Sequence, residues 1–401
     1  MLFSKMRFRL ASAALLLALP ACAKEPGIPS ANTLLTAKQG GVVLLQELWA
    51  AQAALPVIPI KISPADGPQF LFSDHPEYFH AGNGIALQEE VKPGVIRLYL
   101  YHVPEPGAGP KTISAVIENL GQKPLNIRFL RYAFPNPGKD YYRIGKTGLI
   151  DFFNSQPEKT ARTILPGHRL PLDPKLDQTV VTRDDLVHGF YEFEIDQPAR
   201  ITAFQRDPGQ SSIEIIDHLP RLSQDPLEAR GNGAGRGLFL TSNFDVAGER
   251  GFSLDTARGP MQLILADGHR DAYIQGHDCL ATNAPAHNTG NYGVLYRIQL
   301  KRSSSDGRAL AVLATKQGTG KWCGAQAGAV QISRGIWPGG TVPIPSNRVA
   351  YGNPGEMVAL QVFPPLPKGQ TETIEILYSP PGASCIPTPL IFVPCQPSGL
   401  P

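Results

Sequence analysis

Between Thr112 and Arg131 the chain alternates apolar and polar residues on both sides of a turn, which restricts it to a narrow set of folds. Ile113, Ala115 and Ile117 alternate with Thr112, Ser114 and Glu118. After the turn Asn119-Leu-Gly-Gln-Lys-Pro124, Leu125, Ile127 and Phe129 alternate with Asn126 and Arg128. Period two on both arms means strands with one buried and one wet face, the pattern of an antiparallel sandwich. Phe190-Tyr-Glu-Phe-Glu-Ile195, the turn Asp196-Gln-Pro198 and Arg200-Ile-Thr-Ala-Phe204 repeat it. The 40 glycines and 39 prolines are spread through the chain, breaking helices and marking frequent turns. Further strand-like runs occupy 95–102, 261–265, 292–300, 309–313, 357–363 and 372–378, while a single short helix is predicted near 146–154. The fold class expected is all-β, with two β-sandwich-like or jelly-roll-like domains and few short helices.

A length of 401 residues exceeds what one core usually organises. The break is expected at 224–237, where glycines occupy positions 231, 233, 235 and 237 and little else could pack. A dinucleotide motif is excluded there, because Arg236 replaces the third glycine and a strand follows rather than a helix. The expected organisation is a signal peptide at 1–23, a tether and undecided strand-or-helix segment at 24–54, a domain at 55–223, a linker at 224–237 and a domain at 238–398.

Lys5, Arg7 and Arg9 precede the apolar run Leu10-Ala-Ser-Ala-Ala-Leu-Leu-Leu-Ala-Leu19, and small residues follow at Ala21-Cys22-Ala23. This is the order of a secretory signal, and the run is too short to span a bilayer. Leu19-Pro20-Ala21-Cys22 resembles a lipoprotein lipobox, although Pro20 is unusual in it. The rival is simple cleavage after Ala23. A membrane association through a lipid on Cys22 alone is therefore expected, in a protein of the cell envelope. Setting Cys22 aside leaves Cys279, Cys323, Cys385 and Cys395, an even set suited to two disulfides in an exported chain, with neighbours paired as the simplest of three connectivities. A four-cysteine zinc site would favour Cys-x-x-Cys pairs, and there are none.

Charged residues make up 18% of the chain and the net charge is +3, which excludes the concentrated basic face of a nucleic-acid binder. The nucleophile elbow Gly-x-Ser-x-Gly, the Ser-x-x-Lys set and His-Glu-x-x-His are all missing. Glu192 and Glu194 are expected to point from one strand face into water. Asp74, His75, Glu77 and His80 form the densest titratable cluster, but their spacing matches no zinc motif, so a polar loop is expected. Tyr99, Tyr101, Tyr141, Tyr142 and Trp337 could stack on sugars, although aromatics on strands more often pack in a core. No catalytic residue, metal or cofactor is assigned. The binding candidates are His269, Asp271, His277, Asp278, His287 and Asn291, on one long loop beside Cys279.

Ser73-Asp-His-Pro-Glu-Tyr-Phe-His-Ala-Gly-Asn-Gly-Ile-Ala-Leu87 and Asn288-Thr-Gly-Asn-Tyr-Gly-Val-Leu-Tyr296 resemble segments of secreted cyanobacterial proteins grouped as domain of unknown function 3370. The order of parts agrees from about residue 66 to 380. The cysteines and a longer loop at 269–290 depart from that family. The resemblance implies an extracytoplasmic all-β protein and brings no catalytic residues with it. The expectation is a non-enzymatic envelope module that binds another envelope protein or a cell-surface glycan. The alternative is an extracytoplasmic hydrolase of glycan or peptide, using the loop at 268–291. The anchor has a direct test: mass analysis of the native N-terminus should find a diacylglyceryl group on Cys22, and an unmodified chain beginning at Lys24 would exclude it.

Overall fold

The computed structural model describes residues 29, 31–80, 82–105, 107, 109–222, 233–317, 324–384 and 386–396. The signal segment, Cys22, Cys323, Cys385 and most of the 224–237 segment lie outside them. The fold is all-β, with four sheets and a few short helices. Among the described residues no helix is long and apolar enough to cross a membrane.

A four-stranded antiparallel sheet has the order Arg169–Pro171, Thr112–Asn119, Ala199–Arg206, Gly84–Val91. It faces a nine-stranded sheet whose main path is Ala284–His287, Gln275–Asp278, Arg236–Phe239, Gln69–Ser73, Gly94–Pro104, Val187–Ile195, Leu125–Ala133, Arg162–Ile164. The two arms of each alternating unit in the sequence fall in different sheets. Thr112–Asn119 belongs to the smaller sheet and Leu125–Ala133 to the larger, and the Val187–Ile195 and Ala199–Arg206 pair divides likewise. Each unit is an arch across the sandwich rather than a hairpin. The inward residues of both arms, Ile113, Ala115, Ile117, Leu125, Ile127 and Phe129, meet in one core. Alternation alone cannot distinguish the two arrangements, since either buries one face.

The nine-stranded sheet is buried on both faces. Leu71, Leu98, Leu100, Tyr191 and Phe193 enter the core shared with the four-stranded sheet. Phe70, Phe72, Tyr99, Tyr101 and Phe190 enter a second core on the opposite face. This explains the near-continuous apolar run at 95–101, because a strand covered on both sides has no wet positions to mark its period. The second core is closed by two more sheets. One has seven strands, ordered Ile60–Ala65, Asn243–Gly248, Leu295–Ser303, Glu372–Tyr378, Gly328–Ile332, Gly340–Ile344, with Leu254–Asp255 beside Leu295–Ser303. The other is Val42–Leu44, Glu356–Phe363, Ala309–Ala314, Leu390–Cys395, Met261–Leu263.

The chain therefore interleaves across the 224–237 segment. Val42–Leu44 and Ile60–Ala65 pair with strands of the second half, while Arg236–Phe239 pairs with Gln69–Ser73. Residues 31–54, expected to be a tether and an undecided stretch, contain the helix Ala31–Ala37, the strand Val42–Leu44 and the helix Gln46–Ala51. Leu34 and Leu48 cover the outer face of the five-stranded sheet, to which Val43 contributes from its edge strand. The helix predicted near 146–154 runs Tyr141–Asn154, with Asp140 accepting from the Arg143 amide at 3.1 Å as its N-cap. Its Phe152 stacks on Phe190, ring centroids 3.8 Å apart.

Arg97 joins the two halves. Its side chain is 1% exposed, and every guanidinium N–H has an acceptor. Nε and Nη2 donate to Glu192 Oε2 at 3.1 and 2.8 Å, Nη2 also to Asn243 Oδ1 at 3.0 Å, and Nη1 to the carbonyls of Ser242 and Gly293 at 2.7 and 3.3 Å. Glu192 thus holds a buried cation rather than pointing into water, whereas Glu194 pairs near the surface with Arg128. Arg97→Met should destabilise the protein by about 3–5 kcal/mol in chemical denaturation, since it strands the Glu192 carboxylate and three further acceptors. Arg97→Met with Glu192→Leu should recover part of the loss. A loss below about 1 kcal/mol for the single variant would remove Arg97 from this role.

Candidate functional site

The strand Arg236–Phe239 and the hairpin Gln275–Asp278/Ala284–His287 form one edge of the nine-stranded sheet. Their close approach explains two of the alternating glycines. Gly235 and Gly237 have φ of +130° and +134°, and a Cβ on them would lie 2.0 Å from the His287 carbonyl oxygen and 2.2 Å from that of His277. Only glycine fits a positive φ against a neighbouring backbone. The end of the expected linker is therefore strand, and Arg236 is the first residue of it.

Arg236 and Asp278 are both fully buried and paired, Nε to Oδ2 at 2.6 Å. Arg236 Nη2 also donates to the Leu222 carbonyl at 2.7 Å, and Asp278 Oδ1 accepts from the Leu280 amide at 2.9 Å. Asp278 ends the strand and its carboxylate caps the 3-10 turn Cys279–Ala281, so His277 and Cys279 lie on either side of the strand end, next to the four-stranded sheet. There they meet Glu89, which comes from Gly84–Val91 of the four-stranded sheet. The Cys279 amide donates to Glu89 Oε1 at 2.8 Å, and His277 Nε2 lies 3.8 Å from Glu89 Oε2. The donor atoms of Glu89, His277 and Cys279 all lie within 4.8 Å of one another. Glu89 is buried, His277 half-buried and Cys279 exposed, so the cluster opens to solvent on one side.

Burial raises the Glu89 carboxyl above its usual value. Desolvation, followed by the hydrogen bond and negative field of Glu89, pushes the Cys279 thiol up to about 12. That is the opposite of an activated cysteine nucleophile, which requires a lowered pKa. Among the described residues Cys279 and Cys395 form no disulfide, and their expected partners Cys323 and Cys385 lie outside those residues.

The remaining loop candidates divide. Asp271 and Asn291 are buried and organise the loop: Tyr296 Oη donates to Asp271 Oδ2, which also accepts from the Ala266 amide at 2.9 Å. Asn291 accepts from the Ile274 amide and donates to Tyr296 Oη, both at 2.8 Å. Asn288 likewise bonds both backbone groups of Tyr292. The polar residues of the 288–296 segment thus serve its own folding. His269 and His287 are exposed and stand outside the cluster. Glu89 is the residue that sequence reasoning missed, 190 positions from Cys279. Its signal was a carboxylate in the inward register of Leu87 and Val91, both core residues.

In the earlier cluster, Asp74 Oδ2 accepts from the Ala234 amide at 2.7 Å and His80 Nδ1 bonds Glu105 at 2.7 Å. Tyr99 and Tyr101 are core residues rather than a sugar platform. Ser73 Oγ and His102 Nε2 lie 2.8 Å apart, the spacing of a nucleophile and its base. Both are sealed from solvent. The His102 Nδ1 proton goes to the Pro76 carbonyl at 2.8 Å, so Nε2 accepts from the serine. The pair is structural.

No family model matches the chain, and no curated protein matches it. Among solved structures, one from a study titled "The Substrate Binding Mode and Chemical Basis of a Reaction Specificity Switch in Oxalate Decarboxylase" aligns over 83% of this chain and 78% of that one, with 8% identity and a TM-score of 0.10. That similarity is too slight to carry a fold or an activity.

Two histidines give the fold a pH dependence. Burial lowers His102 to about 3 and His188 to about 4. A histidine held neutral in the fold binds its proton only on unfolding, so its contribution is present above pH 6.5 and is lost as pH falls toward the folded value. His188 packs against Tyr99 and Tyr101, with Nδ1 3.1 Å from the Leu100 carbonyl oxygen. Chemical denaturation between pH 4.5 and 6 should show that His188→Gln, which cannot titrate, reduces the slope of stability against pH by about 1 kcal/mol per pH unit. An unchanged slope would mean that His188 is protonated in the fold.

Proposed function

We propose that this is an exported, lipid-anchored cell-envelope protein acting as a non-enzymatic binding module for an envelope protein or a cell-surface glycan. The signal-like N-terminus supports export, and Cys22 supplies the anchor. The observation that carries the binding role is the seven-stranded sheet, whose outer face holds a shallow groove of about 460 Å³. Arg297, Gln299, Gln331, Ser333, Glu375 and Leu377 line it, together with backbone of three adjacent strands. A row of amides, a hydroxyl and both signs of charge suits hydrogen bonding to an extended polar partner. The size falls in the usual range of ligand sites, about 300–1,000 Å³. The loop at 268–291 devotes Asp271, Asp278 and Asn291 to its own folding, which favours binding over hydrolysis.

The test is purification of the tagged mature protein from its own envelope after mild crosslinking, beside Arg297→Ala/Gln299→Ala/Glu375→Ala. These three side chains are exposed, so the variant should melt like the wild type. A specific protein or glycan recovered with the wild type and lost with the variant supports the reading. Equal recovery from both, or no specific partner, would sink it.

A further inference from the structure

We infer that Glu89, His277 and Cys279 form a mononuclear site for a zinc-class divalent cation, with a fourth position open to solvent. This stands apart from the groove and does not depend on it.

Two independent observations point to a ligand. The first is the convergence of one carboxylate from the four-stranded sheet with one imidazole and one thiol from the end of the facing hairpin strand and the turn after it, their donor atoms within 4.8 Å of one another. A tetrahedral ion with bonds of about 2.0–2.3 Å spaces its donors roughly 3.3–3.8 Å apart. Closing on an ion therefore requires a contraction of about 1 Å, within reach of the half-buried His277 and the exposed Cys279. The second is Glu89 itself, 1% exposed, whose Oε2 makes no well-formed hydrogen bond and has only His277 Nε2 at 3.8 Å and the weak thiol donor of Cys279 beside it. An unsatisfied carboxylate oxygen in a buried position is costly, and a cation at the mouth of the cluster would satisfy it.

The chemistry of the donors selects the ion. Calcium and magnesium prefer oxygen alone, whereas a mixed sulfur, nitrogen and oxygen set suits zinc and its neighbours. Three protein ligands with one side open is the arrangement of zinc sites that keep an exchangeable position. The supporting shell is also in place. Asp278, fixed by Arg236, stands between His277 and Cys279 in the chain and caps the turn that Cys279 opens. The Cys279 amide is held on Glu89 Oε1, which leaves Oε2 as the free donor. Such supporting bonds orient ligands and raise metal affinity. A bound cation also deprotonates a coordinating thiol outright, reversing the field that otherwise keeps Cys279 protonated.

The experiment uses the whole mature chain, reduced and stripped of metal, carrying Cys323→Ser and Cys385→Ser so that these cysteines cannot supply a thiolate. Competition with a chromophoric chelator should show one zinc bound per chain, and zinc should raise the melting temperature. Cobalt(II) should give the near-ultraviolet sulfur-to-metal band of a thiolate ligand. Cys279→Ser, at an exposed position, should abolish that band and the thermal shift. His277→Ala and Glu89→Gln should each weaken zinc binding at least tenfold. Failure to bind zinc, or binding unaffected by these three substitutions, overturns the site. So does a Cys279–Cys323 disulfide mapped in protein taken from its native envelope, because the thiolate would then be consumed.

Discussion

The arrangement of this protein depends on one desolvated guanidinium. Arg97 sits in the middle strand of a sheet covered on both faces, and its five donors are divided between that sheet and two loops of the second half of the chain. A cation removed from water is costly unless it is paired and most of its hydrogen bonds are made. The acceptors at Ser242, Asn243 and Gly293 must therefore stand where they do before Arg97 can be buried. This requirement ties the strand Asn243–Gly248 of the seven-stranded sheet, whose first residue accepts from Arg97, to the nine-stranded one.

Sharing the nine-stranded layer has a consequence for how the chain is divided. A linear reading places two sandwiches end to end with a glycine-rich joint between them. The fold instead passes its first strands, Val42–Leu44 and Ile60–Ala65, into sheets completed some two to three hundred residues later. Local periodicity cannot report such pairings, because a strand's alternation states which side is buried and not what covers it. The units at 112–131 and 190–204 made strands and inward faces legible, and Tyr99 and Tyr101 were legible as core candidates. The choice between arch and hairpin was not, and neither was the cover formed by Leu34 and Leu48, which are isolated apolar residues on short helices. Arg97 left no local signal at all, since a lone arginine in a strand ordinarily reads as an exposed position.

The candidate site was half legible for a related reason. His277 and Asp278 stood out because titratable residues crowd the 268–291 loop. Crowding, however, did not separate function from folding: Asp271 and Asn291 bind the loop's own backbone and Tyr296. The sharper clue lay elsewhere, in residues that contradict their surroundings. Glu89 occupies an inward position between the core residues Leu87 and Val91. Gly235 and Gly237 interrupt a strand at points where His287 and His277 backbone oxygens press against them. Each violates local preference, and violations of that kind collect where a structure is doing more than packing.

The Arg236–Asp278 pair completes this argument. Burying two charges contributes little net stability by itself, because desolvation offsets their attraction. Its value is positional: Asp278 accepts from Arg236 and from the Leu280 amide, which fixes the end of the strand and the start of the turn that carry His277 and Cys279. Glu89 belongs to the facing sheet, and its bond to the Cys279 amide crosses the seam between the two layers. A ligand held by Glu89, His277 and Cys279 would therefore bridge the same seam. Its binding energy would add to the cohesion of the sandwich, since a cation that binds only the folded arrangement stabilises it by mass action. Position, rather than reactivity, is what this edge of the sheet supplies: two side chains placed by a buried pair, and a third brought to them by the packing of the layers.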